Sequence, residues 1–342
     1  MLTKLRHFFR NRNFILISAL IIGLLWGKGA HWTKGLTLPA LAIIMTLSTM
    51  GVPGSAFRSF RTFFTLSVSG IAMNYLILGG LLLALNALFI RDEALRAGFV
   101  ILAAVPPAVA VIPFTAFLKG DEIFSLIGTM GAYLGALVIM PLIVLAFLGP
   151  GLVEPSNLII IMTELILAPL IVSRFIIRIR MDSPLESIKG VITNWSFFLI
   201  TYTIIGLNRE LILAQPFFLL PVAFIAMAST FLLGWVIENM GKLAHVLPKR
   251  LVSLLLLGTL KNYGLAGGLA LTLFSKETSV PATVSSVFMI VYIVWLEFKS
   301  RHIDTKISGI RQRIPNNSFM QGQAPGEDQS LCPIIFPASI PC

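Results

Sequence analysis

The sequence predicts an all-α integral membrane protein with ten transmembrane helices. Of the 342 residues, 56% are hydrophobic and 12% are charged, whereas about 25% of the residues in soluble domains are charged. The apolar runs are also longer than a core helix needs, because a helix that crosses a bilayer requires about 20 apolar residues. One run, residues 121–149, carries no charge after Glu122. So few charges could not cover the surface of a soluble chain of this length.

Charged residues, prolines and glycines divide the apolar part of the chain into ten predicted spans, numbered 1 to 10. They cover residues 14–30, 36–53, 62–90, 95–118, 122–149, 156–177, 190–207, 215–240, 250–274 and 279–298. The boundaries fall where charged or helix-breaking residues interrupt the apolar runs.

The distribution of Lys and Arg between the spans predicts the sidedness of the protein. The segments at or near the side of the N-terminus hold 19 of these residues, and those at or near the opposite side hold 6. The one remaining cation, Lys261, falls within span 9. Because basic residues collect on cytoplasmic loops, both termini are predicted to lie in the cytoplasm of a multi-pass cell membrane (plasma or inner) protein. The same rule explains the net charge of +11, so the predicted partner is the lipid bilayer rather than nucleic acid.

Residues 303–342 differ in composition from the spans and form a predicted disordered cytoplasmic tail. The stretch NNSFMQGQAPGEDQS is polar and has no periodic apolar positions to bury. The two cysteines of the chain, Cys332 and Cys342, both lie in this tail. The membrane part therefore offers no thiolate metal site, and we predict no metal.

The ten spans divide into two sets of five, and each set begins with a similar run led by asparagine. The runs are NFILISALIIG from residue 13 and NLIIIMTELIL from residue 157. An odd number of spans in each set would place two homologous halves in opposite orientations, as in many secondary transporters. This pattern favours two inverted five-helix repeats.

Spans 4 and 9 hold equivalent positions in the two halves, and both carry residues that interrupt helices. Proline removes an amide donor and clashes with the preceding turn, and glycine loosens the backbone. The predicted break residues are Pro106, Pro107 and Pro113 in span 4, and Gly264 and Gly268 in span 9. Interrupted helices at matching positions indicate a transporter site. Ordinary kinks are the alternative, because Pro and Gly are frequent in membrane helices.

These two segments resemble the bile acid:sodium symporter family and its wider superfamily, which includes arsenite-efflux proteins. The resemblance covers residues 14–298. It is most specific over 106–141, which includes FLKGD at 117–121, and in KNYGLAGGLAL at 261–271.

The resemblance implies a membrane transporter domain over residues 1–302. Its panel domain would comprise spans 1, 2, 6 and 7, and its core domain would comprise spans 3–5 and 8–10. The broken spans 4 and 9 would cross in the core. Substrate would bind between the two domains, and core would move against panel to give alternating access.

The sodium ligands of that family carry over only in part. The matching ion-site or crossing positions are Thr115, Ser125, Thr129 and Asn262. Asn74 and Lys261 are also candidates, and each stands where the family has a glutamine. Ser125 and Thr129 share one helix face because they are four residues apart. Leu257 stands where the family has a carboxylate, and Val111 and Ile112 replace its Ser-Asn pair. These departures argue against the usual two-sodium mechanism.

A lysine near the middle of a membrane is costly and is a functional candidate for that reason. One interpretation is that the Lys261 ammonium occupies the place of sodium, with hydrogen bonds accepted by Asn74, Ser125 and Thr129. Two others are that Lys261 exchanges a proton during transport, or that it attracts an anionic substrate. The alternative without a function is that the Lys261 side chain extends to an aqueous vestibule and has no specific role.

Four further polar residues are candidates for a substrate cavity: Glu164 in span 6, and Asn194, Tyr202 and Thr203 in span 7. Glu164 could pair with a cation or titrate, or it could simply face a water-filled gap. The three residues of span 7 could line the panel side of the cavity, or they could join helices within the bundle.

The resemblance implies secondary active transport of a small organic anion, with a sodium ion or a proton as the coupling ion and no cofactor. The departures at Leu257 and Lys261 favour a sodium-independent variant. An intramembrane enzyme is the alternative from another class, but the spans show no paired aspartates, H-E-x-x-H motif or Ser/His dyad. A channel would need a filter motif, which the sequence lacks. An arsenite exporter would carry a cysteine in span 4, where this chain has Val105.

Overall fold

The computed structural model of the protein describes residues 12–50, 60–149, 155–214, 217 and 219–313. The described residues are almost entirely helical and contain no β-strand. The helices are α1 (Arg12–Leu25), α2 (Ala30–Thr33), α3 (Thr37–Met50), α4 (Phe60–Ile71), α5 (Gly80–Phe89), α6 (Glu93–Ala104), α7 (Val111–Phe117), α8 (Glu122–Leu148), α9 (Pro155–Arg178), α10 (Asp182–Ala214), α11 (Leu220–Met227), α12 (Leu233–Leu243), α13 (Pro248–Thr259), α14 (Tyr263–Leu273) and α15 (Val280–Arg313). Two π-helical segments, Ala72–Gly79 and Ala228–Leu232, join α4 to α5 and α11 to α12.

Six helical stretches of the described residues are long and apolar enough to cross a membrane. They are Gly27–Met50, Arg61–Phe89, Glu122–Leu148, Asp182–Glu210, Leu220–Leu243 and Glu277–Ser300. Two shorter apolar helices, Phe14–Leu25 and Tyr263–Leu273, accompany them. This architecture is consistent with the predicted all-α, multi-pass membrane class.

Local capping explains where two of the helices begin. The side chain of Asp92 accepts a 2.9 Å hydrogen bond from the Leu95 amide at the start of α6. Asp121 accepts a 3.0 Å bond from the Phe124 amide at the start of α8. Aspartate at the N-cap satisfies an amide that has no partner within the helix. The starts of predicted spans 4 and 5 are therefore set locally.

Contacts within residues 1–290 sort the helices into two groups. In the first helix group, α10 packs against α1 and α3, and α9 packs against α3. In the second helix group, α8 packs against α4, α6, α7 and α13, while α14 packs against α6. The two groups meet where α9 contacts α8 and where α14 contacts α3 and α10.

Small residues allow α4 and α8 to approach closely. A Cβ atom on Gly70 would lie 2.2 Å from the carbonyl oxygen of Gly128, and one on Gly131 would lie 2.2 Å from the Cβ atom of Ser67. Such contacts between small residues are typical of membrane helix packing. The close approach brings Asn74, in the π-helical segment after α4, and Thr129, on α8, into the interior of the second helix group.

Residues 291–342 form a separate compact unit, of which residues 291–313 are described. Residues 303–313 continue helix α15, so the prediction of disorder is wrong for this part of the tail. Ile303, Ile307 and Ile310 recur at helical spacing, and the first proline after them is Pro315. The rest of the predicted tail, 314–342, lies outside the described residues.

Candidate functional site

Two helices are interrupted within the second helix group. Helix α6 ends at Ala104 and α7 begins at Val111, and the interval contains Pro106 and Pro107. Val105 is extended, with φ −68° and ψ 152°, as expected for a residue that precedes proline. Helix α13 ends at Thr259 and α14 begins at Tyr263. We call residues 105–110 and 260–262 together the crossing.

The two breaks pair with each other through the main chain. The Ala108 amide donates a 3.1 Å hydrogen bond to the Leu260 carbonyl, and the Asn262 amide donates a 3.0 Å bond to the Pro106 carbonyl. Pro107 and Lys261 thereby form an isolated antiparallel bridge. Interrupted backbone in a membrane requires such partners because lipid supplies none.

Three of the predicted break residues lie inside helices. Pro113 is in the first turn of α7, where its missing amide hydrogen has no intrahelical partner to lose. Gly264 and Gly268 lie within α14, and their Cβ positions face Ile200 of α10 and Leu38 of α3 respectively. These two glycines therefore allow α14 to pack closely, and the break itself falls at residues 260–262.

The Lys261 side chain is fully buried and closes the end of the other broken helix. Its Nζ atom donates hydrogen bonds of 2.7 Å to the Ala103 carbonyl and 2.9 Å to the Val105 carbonyl. The last carbonyls of a helix have no intrahelical donors and carry the negative end of the helix dipole. The ammonium group also lies 4.7 Å from the centre of the Tyr75 ring. No described carboxylate forms an ion pair with it.

A π-helical segment shapes the wall beside this ammonium group. Asn74, in that segment, donates a 3.3 Å hydrogen bond from Nδ2 to the Val105 carbonyl. Its buried Oδ1 atom has no hydrogen-bond partner among the described residues. A Cβ atom on Gly79 would lie 3.2 Å from the Ala103 oxygen and 3.8 Å from Lys261 Nζ. Gly79 thus leaves room for the ammonium group.

Both polar atoms of the Asn262 side chain form hydrogen bonds within the protein. Its Oδ1 atom accepts a 3.0 Å bond from the Leu265 amide and caps α14. Its Nδ2 atom donates a 2.8 Å bond to the hydroxyl of Tyr133 on α8. The residue predicted as an ion-site position is therefore a helix cap that ties the crossing to α8.

The remaining predicted ion-site residues form a separate group of hydroxyls. Thr115 and Ser125 share a 2.7 Å hydrogen bond between their Oγ atoms, which joins α7 to α8. The Thr129 hydroxyl is buried and has no hydrogen-bond partner among the described residues. The hydrogen bonds of the Lys261 ammonium go to main-chain carbonyls, so the expected acceptors Asn74, Ser125 and Thr129 are wrong. The carbonyls at the end of α6 lie within reach of the ammonium group, and the Val105 carbonyl accepts from Asn74 as well.

A cleft of about 580 Å³ lies between the two helix groups. Its wall in the first group includes Glu186, Lys189 and Asn194 of α10, and its wall in the second includes Ile112 of α7 and Glu122 of α8. A cavity of about 40 Å³ beside the crossing is lined by Lys261 and Asn262 and shares Ala110 and Phe197 with the cleft. The cleft therefore leads towards the crossing.

Of the four predicted cavity residues, Asn194 alone lines the cleft. The Tyr202 hydroxyl donates a 3.0 Å bond to the Trp26 carbonyl, and Thr203 shares a 2.6 Å hydrogen bond with Thr33. Both residues therefore join segments within the first helix group, and neither lines the cleft. Glu164 is exposed on α9 and lines none of the cavities described here.

The residues of α10 that face the crossing were missed in the sequence. Phe197, Thr201 and Ile204 line the small cavity, and Asn208 follows on the same face. Their spacing of four, three and four residues is that of one helix face. Asn194 precedes Phe197 by three residues, so this spacing could have identified them.

The described residues contain no group of three or more His, Cys, Asp or Glu side chains that could hold a metal ion. A scan against models of known protein families gives no match, and a search of curated proteins gives none either. The functional conclusion rests on the crossing, the buried ammonium group and the cleft of this chain.

Proposed function

We propose that the protein is a secondary active transporter of a small organic anion. In this proposal the described helices belong to ten spans in two inverted five-helix repeats. The first helix group is the panel domain and the second is the core domain, with the crossing at its centre. Transport proceeds by alternating access as the core moves against the panel.

The observation that carries the proposal is the pairing of two interrupted helices next to a cleft. Breaking two helices costs backbone hydrogen bonds that a purely structural bundle would keep. In transporters such breaks supply free main-chain groups and helix ends at the substrate or ion site. Here the bridge between Pro107 and Lys261 lies beside a cavity that shares Ala110 and Phe197 with the cleft.

The chemistry of the small cavity supports an organic anion as the substrate. Asn262, Tyr263 and Gly264 form the N-terminal end of the 11-residue helix α14 and line the cavity. The N-terminal end of a helix favours negative charge. Leu41 and Val109 contribute apolar wall, and the adjoining cleft of about 580 Å³ has the volume of a small-molecule site. A compact organic acid satisfies both parts of this surface.

The Lys261 ammonium supports transport that does not need sodium. It already supplies positive charge to the Ala103 and Val105 carbonyls. A mobile cation at the same place would meet like-charge repulsion in a site with little screening. Leu257, buried on α13, offers no carboxylate to compensate the dehydration of a cation. A proton would then be the coupling ion.

The test is uptake by the purified protein in proteoliposomes. A panel of radiolabelled monocarboxylates, dicarboxylates and larger amphipathic acids would be offered under an imposed sodium, potassium or proton gradient. We expect saturable uptake of at least one anion, unchanged when choline replaces sodium. Failure of every anion, together with no binding in a thermal-shift assay, would refute the proposed substrate class.

A matched pair of variants ties any uptake to the site. Thr201→Val removes a hydroxyl from the cavity wall, while Thr46→Val removes one that bonds the Ala42 carbonyl of its own helix. Only the first should change the KM for the anion. Equal effects of the two variants would show that the cavity beside the crossing does not bind substrate.

A further inference from the structure

The interface between the two helix groups differs at its two ends along α10. Residues 186–197 of α10 line the open cleft, and residues 197–204 line the small cavity at the crossing. Asn208 lies 11 residues beyond Phe197, about 16 Å further along the helix. There the side chain is completely buried. We call this region the far end of the interface.

At the far end, one side chain joins the two groups directly. The Nδ2 atom of Asn208 lies 2.9 Å from Ser279 Oγ and 3.0 Å from Thr283 Oγ1, and donates to both. It also lies 3.0 Å from the Ile204 carbonyl of its own helix, so three acceptors share its two protons. Ser279 belongs to a turn, Glu277–Ser279, that packs against α6 and α14 of the second helix group. These bonds therefore cross from the first group to the second.

The orientation of the Asn208 amide follows from the hydroxyl groups around it. Ser279 Oγ donates its proton to the Lys276 carbonyl at 2.7 Å, and Thr283 Oγ1 donates its proton to the Ser279 carbonyl at 2.9 Å. Both hydroxyls can then act towards Asn208 only as acceptors. Asn208 must present its NH₂ group to them, which points its oxygen elsewhere.

The Oδ1 atom of Asn208 is buried and has no hydrogen-bond partner among the described residues. A buried acceptor without a donor costs free energy that is recovered when water reaches it. The closed far end thus places two acceptors of the facing segment around the Asn208 NH₂ group, in addition to the Ile204 carbonyl, and leaves the Oδ1 atom unsatisfied. This balance suits a contact that must open again.

A second link crosses the same end. Lys276 lies 3.8 Å from Glu210, two residues after Asn208 on α10, and both side chains are exposed. An exposed ion pair contributes little to stability. It shows that the two groups also meet at the rim beyond Asn208.

We propose that Asn208 is a latch that holds the two helix groups together at the far end while the cleft is open. Its hydrogen bonds to Ser279 and Thr283 break when the far end opens and the cleft closes. This inference rests on the proposed function, because it assigns one state of an alternating-access cycle to the structure. Asn208 acts by positioning the helix groups and does not contact substrate.

The test measures from which side the crossing can be reached, without any substrate. A single reporter, Thr201→Cys, is placed in a full-length chain in which Cys332 and Cys342 are replaced by serine. A membrane-impermeant maleimide is applied to either side of reconstituted vesicles. With Asn208 intact, we expect labelling from the cleft side and protection from the far side. With Asn208→Ala, far-side labelling should rise roughly three- to tenfold, the effect of losing two interhelical hydrogen bonds in a membrane protein.

Two further variants keep the test decisive. Thr283→Val conserves shape and removes one acceptor, so a smaller rise on the far side is expected even if Asn208→Ala does not fold. Asn86→Ala is the matched control. Asn86 is also buried, donates to the Arg96 carbonyl and has an unpartnered Oδ1 atom among the described residues, but its bond stays within the second helix group. It should leave sidedness unchanged.

Unchanged far-side labelling in both Asn208→Ala and Thr283→Val overturns the latch, and so does an equal rise in Asn86→Ala. The outcome is separable from that of the transport proposal. A labelling shift in a protein that moves no organic anion supports the latch and refutes the substrate class. Anion uptake without a labelling shift supports transport and refutes the latch.

Discussion

Lys261 Nζ lies 2.7 Å from the carbonyl oxygen of Ala103, a residue 158 positions earlier in the chain. The side chain at one helix break thus closes the helix that ends at the other break. Together with the bridge between Pro107 and Lys261, this bond makes the crossing a single hydrogen-bonded unit. The two broken helices cannot separate without exposing main-chain groups to lipid.

Replacement of Lys261 by methionine should destabilise the protein. The carbonyls of Ala103 and Val105 would lose a charged donor in a buried site, at a cost on the order of 2–4 kcal/mol. Thermal unfolding in detergent micelles would measure the loss as a lower midpoint temperature. Lys189→Met is the control, because the ion pair that Lys189 forms is with the exposed Glu186 on its own helix. Its loss should change stability by less than about 0.5 kcal/mol.

Rescue by a small amine would separate the lost charge from lost packing in the same position. Lys261→Ala leaves space for three methylene groups and an ammonium group. Added n-propylammonium should raise its midpoint temperature, whereas the same concentration of sodium chloride should not, since a ligand stabilises the state that binds it. Equal rescue by sodium would mean that the site binds any small cation and does not select for an ammonium group.

Transport by the unmodified protein should be insensitive to the replacement of sodium by choline at fixed pH and ionic strength. The Leu257→Glu, Lys261→Gln double variant removes the tethered ammonium and adds a carboxylate. It should gain sodium-dependent uptake, although Val111 and Ile112 still offer no side-chain ligand. Strict dependence of the unmodified protein on sodium would contradict the interpretation that the Lys261 ammonium takes the place of sodium.

Cysteines in place of Ala108 and Leu260 should form a disulfide under mild oxidation. The two residues face each other across the bridge, where opposed Cα atoms lie about 5.5 Å apart, within disulfide range. The tail cysteines are first changed to serine, and crosslinking is read as protection from a thiol-reactive mass tag. The pair Ala116 and Leu260 is the control, because Ala116 lies within α7, beyond the break. Crosslinking of the control pair alone would disprove the bridge.

Loss of the Tyr202 hydroxyl should affect stability and not substrate affinity. Tyr202→Phe removes the bond to the Trp26 carbonyl within the first helix group, which is expected to cost about 1 kcal/mol. The KM of anion uptake should stay unchanged, in contrast to Thr201→Val. An increased KM without a loss of stability would return Tyr202 to the substrate cavity.

Cysteine-accessibility labelling should place positions near Arg180 and Lys249 on the cytoplasmic side, and positions near Arg91 and Arg209 on the other side. The expectation follows from the distribution of basic residues. Because a missed span reverses every later segment, exterior labelling near Lys249 would contradict the ten-span topology.

Features that depend on neighbours in the chain could be predicted from the sequence. The apolar composition and the lengths of the apolar runs determine the all-α membrane class. Lipid offers no hydrogen-bond partners, and a helix pairs its backbone N–H and C=O groups within its own segment. The break at Pro106 and Pro107 is equally local, since proline removes the amide hydrogen wherever it lies. The continuation of α15 to Arg313 also has a local basis, because apolar residues recur at helical spacing up to Ile310. The first proline after them, which would end a helix, is Pro315.

Tertiary structure alone decided which groups meet at the crossing. Glycine permits a break but does not require one, so Gly264 and Gly268 remain helical while the chain extends at Leu260, where it pairs with Ala108. The face of α10 that meets the crossing depends on the neighbouring helices. The sequence therefore predicted Tyr202 and Thr203 on that face, whereas the folded chain places Thr201 and Asn208 there. A buried lysine was visible in the sequence, but its acceptors were not. They are main-chain carbonyls, which every residue carries, and only the folded chain brings two of them to the ammonium group.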